Sequence, residues 1–234
     1  MAAIEVRDDS GVRWITFARP DKHNALTVDE LVEATRWLTG GRPSPSAVVF
    51  TGAGDRAFSA GMHLDSFHEL DRERARTLIT HVRDFLAAAR SAPVPTVCAI
   101  NGHCLGAAFE LALACDIRIA AEHATFGLPE IKVGVPSVVD AALLSQHVGL
   151  SMAKEMILTG DLYSAAAMAR HGMLNRVVPG DELLAETDRM LTRLAGHNPA
   201  VVAAQKRLFE SWQNTTLGAG IDASLDEFAG LFGS

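Results

Sequence analysis

The sequence predicts an α/β fold with a helical C-terminal third. Three observations carry this. Short β-like runs alternate with helical periods as far as residue 120. The pattern turns helical after about residue 138. The hydrophobic fraction, 48% of 234 residues, suits one compact core, or a core with a helical appendage.

The elements follow in order. Ile4–Val6 and Val12–Phe17 are β-like runs split by the turn signal Asp8-Asp9-Ser10-Gly11. Thr27, with Glu30 three residues on, forms a capping box, and Leu31, Ala34 and Leu38 supply the helical period behind it. Ala47–Phe50 is a buried strand, followed by a glycine-punctuated loop from Gly52 to Asp65. Leu78, Val82, Phe85 and Ala89 mark a long amphipathic helix. Pro95–Ile100 and Asp116–Ala120 are further strands, with a helix carrying Glu110 between them. Asn175–Pro179 is a short extended interruption of the helical third.

Composition excludes several classes. A net charge of −7 argues against a nucleic-acid surface, while a small anionic ligand needs only a local basic patch. Arg19, Lys22, His23 and Arg56 lie near turn signals and are candidates for such a patch. The three cysteines, Cys98, Cys104 and Cys115, sit in apolar segments and are odd in number. That disfavours disulfides and points to a reducing, cytoplasmic setting. Met1-Ala2-Ala3-Ile4-Glu5-Val6 has no signal-peptide pattern, and no apolar run reaches membrane-spanning length.

Chemistry concentrates in two glutamates twenty positions apart. Glu110 follows the small-residue segment Asn101–Ala108 and leads the apolar run Leu111–Cys115; Glu130 closes Phe126-Gly127-Leu128-Pro129-Glu130. An acid in front of five apolar residues is a poor core choice unless it has a task. Two carboxylates in one apolar pocket can divide acid and base work. Ala107 and Glu110 stand three apart, hence on one side of a helix whose free N-terminal amides suit negative charge; close packing at a strand-to-helix corner would ask for the same small residues. Gly52-x-Gly54-x-x-Ala57 is a poor dinucleotide fingerprint, because Gly61 falls where the helix should already run. There is no Gly-x-Ser-x-Gly elbow. The nine histidines show no metal-ligand spacing, so no metal site is expected, and His103 reads as structural.

Five ordered segments together resemble the crotonase superfamily, also called the enoyl-CoA hydratase/isomerase family. They are Arg19-Pro20-Asp21-Lys22-His23-Asn24-Ala25-Leu26, Ala57-Phe58-Ser59-Ala60-Gly61-Met62-His63-Leu64, Asn101-Gly102 through Glu110, Cys115–Ala120 and Phe126–Glu130. The resemblance implies a crotonase-like spiral of ββα units over residues 1–180, holding an acyl-CoA site. It implies a helical trimerisation region over 181–234 that ends at Phe232-Gly233-Ser234, short of the family's usual final helix. Homotrimers, or dimers of trimers, are the implied assembly, with no membrane or nucleic-acid partner and no cofactor beyond the CoA of the substrate.

Carried over by residue, the resemblance puts the oxyanion-hole amides at Met62 and Ala107. It runs CoA past Lys22, His23, Ala25, Ala60, Met62, His63, Leu64 and Asp65. Glu110 would activate water at the β-carbon of a 2-enoyl-CoA and Glu130 would supply the α-proton. The alternatives are a double-bond isomerase using Glu130 alone and a non-catalytic acyl-CoA-binding protein. Three departures from the family pattern bear on specificity. His63 stands where Asp is frequent, Gly106-Ala107-Ala108 replaces a glycine triplet, and Pro136-Ser137-Val138-Val139-Asp140 replaces a Pro-Gly-x-Gly-Gly loop.

Overall fold

A computed structural model of the chain describes residues 4–40 and 44–232. Met1–Ala3, at the start of the N-terminal pattern, and Gly233-Ser234, at the chain end, lie outside the described residues. Ten strands and nine α-helices are seen among the described residues. The larger sheet has six strands in the order β1 (Ile4–Asp9), β2 (Val12–Phe17), β3 (Ala47–Gly52), β5 (Thr96–Ile100), β7 (Ile117–Ala121) and β10 (Arg176–Val178). The β1–β2 hairpin is antiparallel, and the other pairings are parallel. A smaller sheet runs β4 (Ala57–Ser59), β6 (His103–Leu105), β8 (Thr125–Gly127) and β9 (Tyr163–Ser164).

The chain visits the two sheets alternately. β3 leads to β4, β5 to β6 and β7 to β8, and a helical segment follows each pair. These are the ββα coils of the predicted spiral. The helical segments are α1 (Val28–Gly40) before β3, α2 (Arg72–Ser91) after β4 and α3 (Ala107–Ala114) after β6. After β8 come a 3-10 turn, Pro129–Val133, and a second, Val139–Leu143, then α4 (Leu144–Val148) and α5 (Leu150–Thr159). α6 (Ala165–Arg170), α7 (Leu183–Leu194), α8 (Pro199–Asn214) and α9 (Leu217–Gly230) complete the fold.

The large sheet is covered on both faces, so its central strands are continuously apolar. Val48, Phe50, Cys98 and Ile100 face one side, packed with Phe85 and Leu86 of α2 and Phe109 of α3. Ala47, Val49, Val97 and Ala99 alternate to the other side, where Leu183, Met190 and Leu191 of α7 cover them. By packing, α7 therefore belongs with the sheet, although it lies beyond the expected 180/181 boundary. α8 and α9 pack on each other as a hairpin. Lys206 of α8 ties the hairpin to Asp116 at 2.6 Å, and Glu210 reaches Arg90 of α2 at 3.3 Å.

The capping box is seen in part: the Glu30 carboxylate accepts the Thr27 amide at 2.6 Å. The region read as a loop, Gly52–Asp65, is more ordered than expected. It contains β4 and the start of a 3-10 turn, Leu64–Phe67.

Candidate active site

The strands of the small sheet deliver the candidate site. After β4 comes Ala60-Gly61-Met62, after β6 comes Gly106-Ala107, and after β8 comes Leu128-Pro129-Glu130. Leu26 and Met62 form an isolated parallel bridge. The Leu26 amide donates to Gly61 O (2.8 Å), and the His63 amide donates to Leu26 O (2.7 Å). A parallel bridge of this kind uses the groups on either side of Met62 and turns Met62's own N–H away from Leu26. Ala107 opens α3, so its N–H has no partner within the helix.

Two glycines bring these amides together. Gly61 has φ +83°, and a Cβ there would lie 2.7 Å from Leu105 O and 3.1 Å from Ala107 N. Only a residue without a side chain lets the Met62 loop press against the start of α3. Gly106 has φ +55°, and its absent Cβ leaves room for the Glu130 carboxylate, whose Oε1 would be 2.8 Å from such a Cβ.

Glu110 sits on the first turn of α3, 4% exposed, within the main hydrophobic core. Burial pushes its carboxyl well above the ordinary value of 4.5. The negative charges of Glu130 and Asp140 add to this, while the Ala141 amide pulls the other way. Burial also raises the Glu130 carboxyl, against hydrogen bonds from its own amide and from Ser137. The Glu130 charge thus reaches Glu110 and adds to its rise.

This geometry has a stability consequence. Below pH 4.5 Glu110 is protonated both folded and unfolded, and its shift contributes nothing. As pH rises, the unfolded chain releases the proton first, so the folded state loses stability until the raised folded pKa is passed. Glu110→Gln cannot ionise. It should melt higher than the parent at pH 8, with the gap closing toward pH 4.5, at about 2–4 °C per kcal/mol relieved. Calorimetry at both pH values checks this; an equal gap at both would contradict it.

Every residue that the resemblance assigned to the site lines one cavity of about 600 Å³. Glu110, Glu130, Met62, Ala107, Lys22, His23, Ala25, Ala60, His63, Leu64 and Asp65 all reach its wall. The remaining candidates of the basic patch do not. Arg19 is held by Glu30 at 2.5 Å and by Ala25 O at 2.8 Å, so it braces the Lys22 turn instead of facing the cavity. Arg56 lies off the cavity, its carbonyl accepting the His103 amide. His103 bonds Thr125 across β6 and β8 at 2.6 Å, a structural role. His63 caps the 3-10 turn Leu64–Phe67, its Nδ1 accepting the Asp65 amide at 3.3 Å, as a carboxylate at that position also does.

Sequence reasoning left several wall residues unassigned. Ile79 and Val82 come from α2, Phe67 from the turn before it, and Ser137 and Val138 from the loop that departs from the family pattern. The helical period singled out Val82 as core, but no sequence signal placed it at a ligand.

The match to known proteins decides the family. A family model described as Enoyl-CoA hydratase/isomerase covers residues 7–233. The chain belongs to the enoyl-CoA hydratase/isomerase family. Among the relatives, a crotonyl-CoA hydratase of Syntrophomonas wolfei is 31% identical over 98% of this chain and 88% of its own length. A 2,3-dehydroadipyl-CoA hydratase of Escherichia coli K12 is 32% identical over 94% and 87%. The 1.8 Å crystal structure of an enoyl-CoA hydratase from Bacillus anthracis superposes with a TM-score of 0.91 at 29% identity, covering 98% of this chain and 91% of that one. The family fold thus extends over nearly all of the chain, including the loop where Ser137, Val139 and Asp140 replace the expected glycines.

Proposed function

We propose that this protein is an enzyme that adds water across the 2,3-double bond of a 2-enoyl-CoA. The observation that carries the reading is the convergence of two carboxylates, Glu110 and Glu130, on one cavity with the Met62 and Ala107 amides. The thioester carbonyl sits between the two amides. As the water oxygen bonds the β-carbon, electron density moves through the α-carbon to the carbonyl oxygen, and the amides stabilise that enolate-like charge. One proton of the water goes to a carboxylate, and the α-carbon takes a proton from the pair. With one proton shared, the pair can both accept and supply.

Glu130 is assigned to the α-carbon because its Oε1 lies over Gly106, next to the amide that holds the carbonyl. Glu110 then takes the proton of the water. Burial raises the Glu110 carboxyl further than that of Glu130, and the reacting water, held between the two, relays the proton from Glu110 to Glu130 ahead of the addition. CoA is the carrier half of the substrate, and its phosphates run past Lys22 and His23. Loss of the 2-enoyl thioester absorbance across a panel of acyl-CoAs tests the activity directly.

Charge reversal at Lys22 separates the two ends of the ligand. Lys22→Glu should weaken binding of a CoA thioester by about tenfold or more, the loss of one charge-assisted contact plus repulsion. Binding of the matching pantetheine thioester should barely change. Calorimetric titration of both ligands decides; equal weakening would remove the phosphate role.

The reading extends to assembly and compartment. Leu217, Ile221, Leu225, Phe228 and Phe232 are exposed and recur every three or four residues from the start of α9. Such a stripe suits burial between subunits of a homotrimer, or of a dimer of trimers, in the cytoplasm. Light scattering at micromolar concentration should give a multiple of three times 25.0 kDa. A monomer mass would count against it.

A further inference from the structure

One turn reaches both acids. Ser137 Oγ donates to Glu130 Oε2 at 3.0 Å. Four residues on, the Ala141 amide donates to Val138 O at 3.0 Å and lies near enough to Glu110 to oppose the rise of its carboxyl. Between them Val139 adopts φ +43°, a conformation that β-branched residues rarely take. The turn is braced from behind. Buried Asp140 pairs with Arg90 of α2, and Arg90 also meets Glu210 of α8.

The two oxygens of Glu130 therefore have different surroundings. Oε2 is occupied by Ser137, and Oε1 lies over Gly106 at the start of α3. Among the described residues, the side-chain hydrogen bond to this carboxylate comes from Ser137.

Resting on the hydratase reading, we propose that Ser137 is a positioning residue that fixes the Glu130 carboxylate by its outer oxygen and leaves Oε1 as the oxygen that exchanges the proton with substrate. The hydroxyl has one proton to give, and it donates best to an ionised acceptor. The Ser137 bond strengthens as Glu130 gives up its proton, which is the moment the α-carbon receives it. The Asp140–Arg90 pair keeps the hydroxyl at that spot by holding the turn. The charged and titratable groups that line the same cavity as Glu130 are Glu110 on α3, Asp21, Lys22, His23, His63, Asp65 and Lys132. Asp140 lies behind the turn.

Ser137→Ala tests this with two readouts. The first is a titration of the glutamate-labelled, ligand-free enzyme by carbon NMR, with the Glu130 carboxyl resonance identified by its loss in Glu130→Gln. Removing a donor that favours the ionised form should raise the Glu130 midpoint by about one pH unit. The second is hydration of crotonyl-CoA. There kcat should fall about tenfold with KM within about twofold, and the limb of the pH profile that follows Glu130 should move the same way. Ser137→Thr keeps the hydroxyl and should restore both. An unmoved Glu130 midpoint in Ser137→Ala overturns the positioning role, whatever the rates do. A parent enzyme that hydrates neither crotonyl-CoA nor longer 2-enoyl-CoAs sinks the hydratase reading, while the NMR midpoint still decides the role of Ser137.

Discussion

Glu110→Gln and Glu130→Gln should each slow the hydration of enoyl-CoA thioesters, lowering turnover by at least roughly a hundredfold, the usual scale for one acid–base group. Glutamine keeps the size and polarity of the side chain but cannot accept a proton. A hydratase places a hydroxyl on one carbon and a proton on its neighbour, and one water supplies both if two groups converge on it. The double variant should be little worse than the weaker single, because groups that act as a unit are not additive. KM should change little, since the thioester oxygen is held by the amides of Met62 and Ala107. Steady-state kinetics on the three variants decides between mechanisms. Full turnover in Glu110→Gln with none in Glu130→Gln would replace the hydratase by a one-base isomerase.

Gly61→Ala should abolish most turnover without touching either acid. The added methyl meets Leu105 O at 2.7 Å and the Ala107 nitrogen at 3.1 Å, in a backbone at φ +83°. The Met62 loop must retreat from α3, and the paired amides separate. Losing one such donor costs about 3 kcal/mol in the barrier, or about a hundredfold in turnover. Gly172→Ala provides the control. Its φ is +78°, yet its Cβ would meet nothing within 4 Å, so it carries the conformational cost without the collision. Both variants should lose about 1–2 kcal/mol of stability from the left-handed backbone. Only Gly61→Ala should lose turnover while its circular dichroism still reports a folded chain. Equal turnover in the two would mean that the spacing of the amides is not what Gly61 protects.

Much of this site is legible in the sequence because its residues violate local expectation. Glu110 interrupts an apolar helix, and it proves almost wholly buried. Leu78, Val82, Phe85 and Ala89 announce α2 through their period, and all four are buried on it. The small sheet leaves no such trace. Its strands β4, β6 and β8 have three residues each, too few for an alternation to show, and β4 lies in what reads as a plain loop. Long-range pairings are equally silent. Nothing near Arg19 says that Glu30, eleven residues away, consumes it, which removes it from the basic patch. Nothing near Asp140 says that Arg90, fifty residues back, is its partner. Ser137 appears only as a departure from a glycine. Its link to Glu130 needs the fold of the intervening turn.

The pairing of β6 with β8 works as a ruler for the chemistry. His103 is matched to Thr125, Cys104 to Phe126 and Leu105 to Gly127, and the Gly106 amide adds a bond to Gly127 O at 3.0 Å. Counting forward from the last matched pair, Ala107 arrives after two residues on one side and Glu130 after three on the other. A slip of one residue would displace one half of the scale against the other by about 3.3 Å and turn each side chain to the wrong face. Proton transfer tolerates only a few tenths of an ångström around hydrogen-bond distance. Length changes in the exposed Glu122-His123 corner cost the bonds of Glu122 N to Val178 O and of the His123 ring to Asp55 O and Asn101 O, whereas inside β8 they mis-set the gauge itself. Three residues per strand is a short scale, but it is graduated finely enough to keep an acid and an amide in step.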